Sequence, residues 1–126
     1  MIKLKSFNKN NQFLKILKEK KINTKYFVIY FDKNTINFKK NVNKYLNISF
    51  VIKKKTGNAV VRNKIKRKLK YAVQKILREQ RVININYNYV IFGKNNVYRD
   101  KFEFILDEVN KTFKKIKQIG GGLWNI

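Results

Sequence analysis

GNAVVRNKIKRKLKYAV, residues 57–73, decides how this chain is read. Successive residues placed at 100° intervals gather Val61, Ile65, Leu69, Ala72 and Val73 into one apolar arc, which Ile76 and Leu77 continue. That is the signature of a helix with one buried side. Gly57 supplies the turn before it and Asn58 the N-cap. Yet Arg62, Lys64, Lys66, Arg67 and Lys68 crowd its first turns with no acid among them. A helix N-terminus carries partial positive charge and attracts anions, so these cations are misplaced unless an anionic partner meets them. Arg62 and Lys66 fall inside or at the border of the apolar arc. They fit a helix whose first turns project beyond the edge of a sheet.

The rest of the chain sharpens the imbalance. Its 126 residues carry a net charge of +24, with 44% hydrophobic and 14% aromatic content. The length suits one domain, and the apolar fraction supports a core. The charge opposes compaction until a polyanion relieves it, nucleic acid first and an anionic membrane second. A bias toward Lys, Asn and Ile can follow from genome base composition, so the distribution of charge carries the argument. Between Asp32 and Glu79 there is no acid at all, and the densest cationic run is KKKTGNAVVRNKIKRKLK, 53–70. Arg and Lys neutralise phosphates, Arg with forked hydrogen bonds.

Several chemistries are excluded by composition. Cysteine and histidine are absent, which removes disulfides, thiolate chemistry, imidazole ligands and histidine bases. Of the seven acids, Asp100, Glu103, Asp107 and Glu108 recur at helical spacing and read as a solvated face. The N-terminal MIKLKSFNKNNQF has no apolar stretch long enough for a secretory signal, and no run approaches a membrane span. A cytoplasmic protein is expected.

Along the chain, Asn10 or Asn11 caps a short helix to about Lys20, with Phe13, Leu14 and Leu17 toward one side. TKYFVIYF (24–31) is a strand with Tyr26, Val28 and Tyr30 on one face and Phe27, Ile29 and Phe31 on the other. The segment from Asp32 to about Lys44 reads as a loop with room for a short extra strand. LNISFVIK (46–53) alternates Leu46, Ile48, Phe50 and Ile52 against Asn47, Ser49, Val51 and Lys53. A third strand, YNYVIFGK (87–94), precedes a last helix from about Val97 to Lys117 bearing Phe102, Ile105, Leu106, Val109, Phe113 and Ile116. That helix has acids early and lysines late, as the dipole prefers. The middle helix breaks the rule that the last one keeps.

The run Gly57-Asn58-Ala59-Val60-Val61-Arg62-Asn63-Lys64-Ile65-Lys66-Arg67 resembles the signature of the bacterial ribonuclease P protein subunit, G-N-A-V-x-R-N-[RK]-[IV]-[KR]-R. In both, basic residues precede it, here Lys53-Lys54-Lys55. The order of elements is similar over most of the chain: a first helix with Phe13, the aromatic strand FVIY (27–30), the strand before the motif, YVIFGK (89–94) and a last helix. Outside the motif the resemblance is one of pattern.

The resemblance implies an α+β fold, a single-domain two-layer α/β sandwich of the ribosomal protein S5 domain 2-like type. It has a central sheet with three helices and a left-handed βαβ crossover, against the usual hand. Residues 1–119 form the domain, and 120–126, with GGG and Trp124, a flexible tail. The implied function is that of the RNA-binding subunit of ribonuclease P, an endoribonuclease whose catalytic RNA removes the 5′ leader from precursor tRNA. Mg²⁺ is then held mainly by the RNA, with no catalytic residue and no metal ligand on this chain. Arg62, Asn63, Lys64, Lys66 and Arg67, continued by Lys68 and Lys70, would face the RNA subunit. Phe13, Leu17, Tyr30, Lys53 and Lys94 would meet the leader in a cleft between the first helix and the sheet.

Read from the residues alone, Phe13 and Tyr30 fit a plain core better than a binding site. Leu17 stands where the family often has a second aromatic. Ala59, Val60 and Val61 read as packing. Two other classes fit the charge: a general or ribosomal RNA-binding protein, and a membrane-active cationic protein, which the strands between the amphipathic helices oppose.

Overall fold

Period-two alternation builds the sheet. In a computed structural model that describes residues 3–6, 10–33, 45–79 and 82–122, three seven-residue strands form its centre: β3 (Phe27–Lys33), β4 (Tyr45–Val51) and β5 (Tyr87–Gly93). Two short strands flank them, β1 (Lys3–Lys5) and β2 (Lys20–Asn23), giving the order β1-β4-β5-β3-β2. β5 runs parallel to β4 and antiparallel to β3, and β1 is parallel to β4. The four helices among the described residues are α1 (Asn10–Ile16), α2 (Ala59–Glu79), the one-turn α3 (Asn96–Arg99) and α4 (Phe102–Gly122). The chain is a mixed α/β single domain.

One face of the sheet makes the main core. Phe27, Ile29 and Phe31 of β3, Leu46 and Ile48 of β4, and Tyr89 and Ile91 of β5 pack against α2 and α4. From the helices come Ile65, Leu69, Ala72, Val73 and Ile76, and Ile105, Val109, Phe113 and Ile116. The Tyr89 and Phe113 rings meet edge to face at 5.1 Å, and the Tyr89 hydroxyl donates to the Asn84 carbonyl at 2.7 Å. Because β4 and β5 are parallel neighbours, the chain must cross the sheet between them, and α2 is that crossover. The approach is tight at Gly93. A Cβ there would lie 2.6 Å from Ile52 Cδ1 and 2.9 Å from both Ile65 Cγ2 and Leu69 Cδ1.

The opposite face carries Val28, Tyr30 and Asp32, Asn88, Val90 and Phe92, and Asn47, Ser49 and Val51. Ile16 of α1 and Val90 are buried here, outside the main cluster. Cross-strand register ranks these residues: Val28–Phe92–Val51, then Tyr30–Val90–Ser49, then Asp32–Asn88. The third rank is polar. Asn47 donates to Asn88 Oδ1 at 3.2 Å, and Asn88 donates to Asp32 Oδ1 at 3.4 Å.

The structure departs from the sequence expectations in several places, beginning with Tyr26: expected on the face of Val28 and Tyr30, it lies just before β3 and is buried in the main core cluster. α1 ends at Ile16 rather than near Lys20, because Lys20–Asn23 pairs with β3, Ile22 opposite Ile29. Asp32 and Lys33 complete β3, while the rest of the expected loop, 34–44, lies outside the described residues. The last helix is interrupted: Asp100 is extended, at φ −82° and ψ 158°, between α3 and α4. α4 then continues past Lys117 through Gly122, although glycine's backbone freedom argued for an earlier end. Of the expected tail 120–126, the first three residues therefore have helical backbone. Trp124 lies outside the described residues.

Gly93→Ala is expected to destabilise the fold by about 1–3 kcal/mol, because helix and sheet must separate to admit the methyl group. Denaturant unfolding checks this, and an unchanged midpoint would show that the approach at Gly93 is not tight.

Candidate nucleic-acid interface

The first half of α2 is assembled by a short piece of local chemistry. After β4, Lys54–Thr56 forms one 3₁₀ turn. Gly57 follows, where a Cβ would come within 2.8 Å of Val61 Cγ1. Asn58 Oδ1 then accepts the Val61 N–H at 3.0 Å and its carbonyl accepts Arg62 N–H at 2.9 Å, which is the expected N-cap. Buried side chains begin only at Ile65. The first turn therefore stands proud of the core, and Ala59 and Val60 are exposed, Val60 by 72%. Of the three residues expected to pack, only Val61 does so.

Asn63, Lys64, Lys66, Arg67 and Lys70 are exposed, as are Lys53, Lys54 and Lys55. Arg62 is half-buried, with its Nε enclosed and unpartnered. Among the described residues the ion pairs are Lys25–Asp100, Lys75–Glu79 and Lys111–Asp107, so none engages a cation between 53 and 70. Lys64 Nζ instead lies 4.9 Å from the centre of the Tyr98 ring. Among the described residues, the charge that opposes the helix dipole has no acidic ion-pair partner.

Lys68 is the exception within the predicted set. Its ammonium donates to the carbonyls of Val97 at 2.9 Å, Tyr98 at 3.2 Å and Asp100 at 2.9 Å, which exhausts its three N–H bonds. Desolvation, and then repulsion from Lys64, pushes its pKa below the ordinary lysine value, while Asp100 opposes the shift. Lys68 is thus a clasp between α2 and the α3–α4 connection rather than a free phosphate ligand. It also explains the break at Asp100, whose carboxylate accepts the Tyr26 hydroxyl at 2.6 Å. That hydrogen bond, followed by burial, raises the Tyr26 pKa to about 12.

The second group of predicted residues meets on the α1 face. Phe13 and Tyr30 do not touch each other directly in a ring pair; each packs edge-on against Phe92, at 6.4 and 5.6 Å. Lys53 Nζ sits 5.8 Å from the Phe92 ring centre and Lys21 Nζ 6.0 Å from that of Tyr30. All three rings are only half-buried. Leu17 is half-buried just past the end of α1, its N–H on the Phe13 carbonyl at 3.3 Å. Lys94 does not join them. Its ammonium donates to Asn23 Oδ1 and the Thr24 carbonyl, both at 2.6 Å, and ties the β2–β3 turn to the end of β5. Phe92, the hub, was missed, although the alternation of β5 sets it on the face of Tyr30.

Lys53 joins the two groups, since it ends β4's extension and opens the turn into α2. An open groove of about 490 Å³ lies elsewhere, lined by Tyr26, Asp100, Phe104, Asp107 and Glu108 among others. Lys25, Arg99, Lys101 and Lys111 complete the lining, so its charge is mixed.

A family model described as Ribonuclease P matches residues 1–117. The chain belongs to the ribonuclease P protein family. A ribonuclease P protein component from Carboxydothermus hydrogenoformans is 30% identical over 119 residues, 94% of this chain and 96% of that one. One from Mesoplasma florum is 33% identical over 111 residues, covering 85% and 90%. Among solved structures, the Thermotoga maritima RNase P protein superposes with a TM-score of 0.65 at 25% identity, covering 88% of this chain and 96% of that one. A Staphylococcus aureus RNase P protein mutant gives 0.67 at 22% identity, covering 89% and 87%, which speaks for the shared fold.

Lys68→Met is expected to cost about 1–3 kcal/mol in unfolding experiments, because three carbonyls lose a charged donor. Arg67→Ala should stay within about 0.5 kcal/mol of the parent. Equal stabilities for the two variants would return Lys68 to the binding surface.

Proposed function

We propose that this chain is the RNA-binding component of ribonuclease P, working in the cytoplasm beside a catalytic RNA that removes the 5′ leader from precursor tRNA. The observation that carries this is the unpaired cationic surface at the start of α2, in a chain of this family. A solvated basic face would gain nothing from gathering its charge against the helix dipole. Phosphates make the arrangement favourable, since counterion release drives association. Arg62, Asn63, Lys64, Lys66, Arg67 and Lys70 would meet the RNA subunit. Arg67 can form forked hydrogen bonds to a phosphate, and exposed Asn63 can bond a sugar or phosphate oxygen.

The Phe13–Phe92–Tyr30 cluster is the seat we assign to the leader. Half-exposed rings with ammonium groups alongside suit single-stranded nucleic acid, because every base has a π-face and every linkage a phosphate. Lys53, and Lys21 on the other side, would take the backbone. Leu17 widens the apolar floor, whereas Lys94 shapes the turn beside it. Among the described residues no three acids, histidines or cysteines converge as metal ligands. In this reading Mg²⁺ would be held mainly by the RNA, where it would supply an activated water and charge stabilisation at the departing oxygen.

Reconstitution tests the reading. Added to ribonuclease P RNA at low Mg²⁺, the protein should restore precursor cleavage, which a general or ribosomal RNA binder would not do. Affinity for that RNA should fall about 10³–10⁵-fold between roughly 50 and 200 mM salt if six to ten phosphates are engaged. A shallow salt dependence would mean that the basic surface is not the handle. Phe92→Ala should weaken precursor binding by about 5- to 150-fold while sparing mature tRNA. Equal losses on both would move the leader elsewhere.

A further inference from the structure

Tyr98 lies on α3, about a third exposed at 36%, while its neighbour Val97 is fully buried. A single exposed tyrosine is ordinary on a protein surface. Three features set this one apart. Its backbone is clamped from two sides, the carbonyl by Lys68 at 3.2 Å and the N–H by the Asn95 carbonyl at 2.9 Å. Its ring lies 4.9 Å from Lys64 Nζ, a cation of the basic helix with no ion-pair partner among the described residues. It also stays out of the mixed-charge groove that its neighbours Arg99, Asp100 and Lys101 help to line. A rigid, half-open aromatic thus stands beside the basic helix although it comes from another part of the chain.

The geometry points to Tyr98 as a stacking platform for an unpaired base of the RNA held by α2, with Lys64 on the adjoining phosphate. This rests on the RNA-binding reading above and extends its footprint from one helix onto α3. The chemistry fits RNA because sequence-tolerant recognition uses splayed bases laid on aromatic rings, with neighbouring cations on the backbone. Lys64 serves both states: it covers the ring in the free protein and needs only a rotation about its flexible stem to reach a phosphate. The preorganised backbone matters as well, since little ordering cost is left to meet on binding. Lys68 is then a positioning residue for this platform, because its carbonyl clasp fixes where Tyr98 stands.

The test uses the full chain and transcribed ribonuclease P RNA. Tyr98→Ala should weaken binding by about 5- to 150-fold, and Tyr98→Phe should remain within about twofold of the parent. The dependence of affinity on salt should keep its slope in Tyr98→Ala, because no charge is removed, whereas Lys64→Ala should lower the slope by about one. Nitration of the parent protein, read by mass spectrometry, should show Tyr98 protected when the RNA is bound, and this needs no variant to fold. Full-strength binding by Tyr98→Ala, or nitration of Tyr98 unchanged by RNA, overturns the platform. If the parent itself fails to bind the RNA, the RNA-binding reading fails instead.

Discussion

The arrangement depends on how firmly the far side of α2 is held. Ile65, Leu69, Val73 and Ile76 are each worth about 1.5–3 kcal/mol when fully buried, and all four are buried against the sheet. Repulsion between two exposed cations is only about 1 kcal/mol at 4 Å in water, and salt screens it within about 8 Å. Apolar packing therefore wins, and the helix can present a dense positive surface without unwinding. Gly93 sets the distance at which that packing happens, because its missing side chain lets Ile65 and Leu69 settle onto β5.

Six cations of the motif look alike in sequence and divide by geometry. Lys64, Lys66, Arg67 and Lys70 turn outward, Arg62 lies half sheltered, and Lys68 turns back to hold three carbonyls from 29 to 32 residues away. Helical spacing gives the side from which a residue leaves the axis, yet not what waits there. The same is true of Lys94, whose acceptors belong to the end of β2 and the residue after it. Partners so distant in sequence have no local signature.

What was legible followed from periodicity. β3, β4, β5 and α2 are long enough to repeat their pattern, and Phe27, Ile29 and Phe31 turn to the core as their alternation requires. β1 and β2 span three and four residues, too few to show a pattern, and exist because a longer strand offers them hydrogen bonds. The break at Asp100 was hidden for a related reason: its causes, Tyr26 and Lys68, lie far away along the chain. Both motif and hydrophobic pattern pointed to the basic helix, whereas Phe92 needed the question of which residues face α1.

The rims of the sheet carry a final consequence. Three aromatic, β-branched strands would make a ready template for stacking copies of this chain into fibrils if they stood at an edge. They stand inside instead. Among the described residues the outermost positions belong to the two shortest strands, bearing Lys3 and Lys5 on one rim and Lys20 and Lys21 on the other. Any second molecule approaching edge-on would have to bring its own lysines against these, so the same excess of charge that awaits a polyanion also keeps the protein from itself.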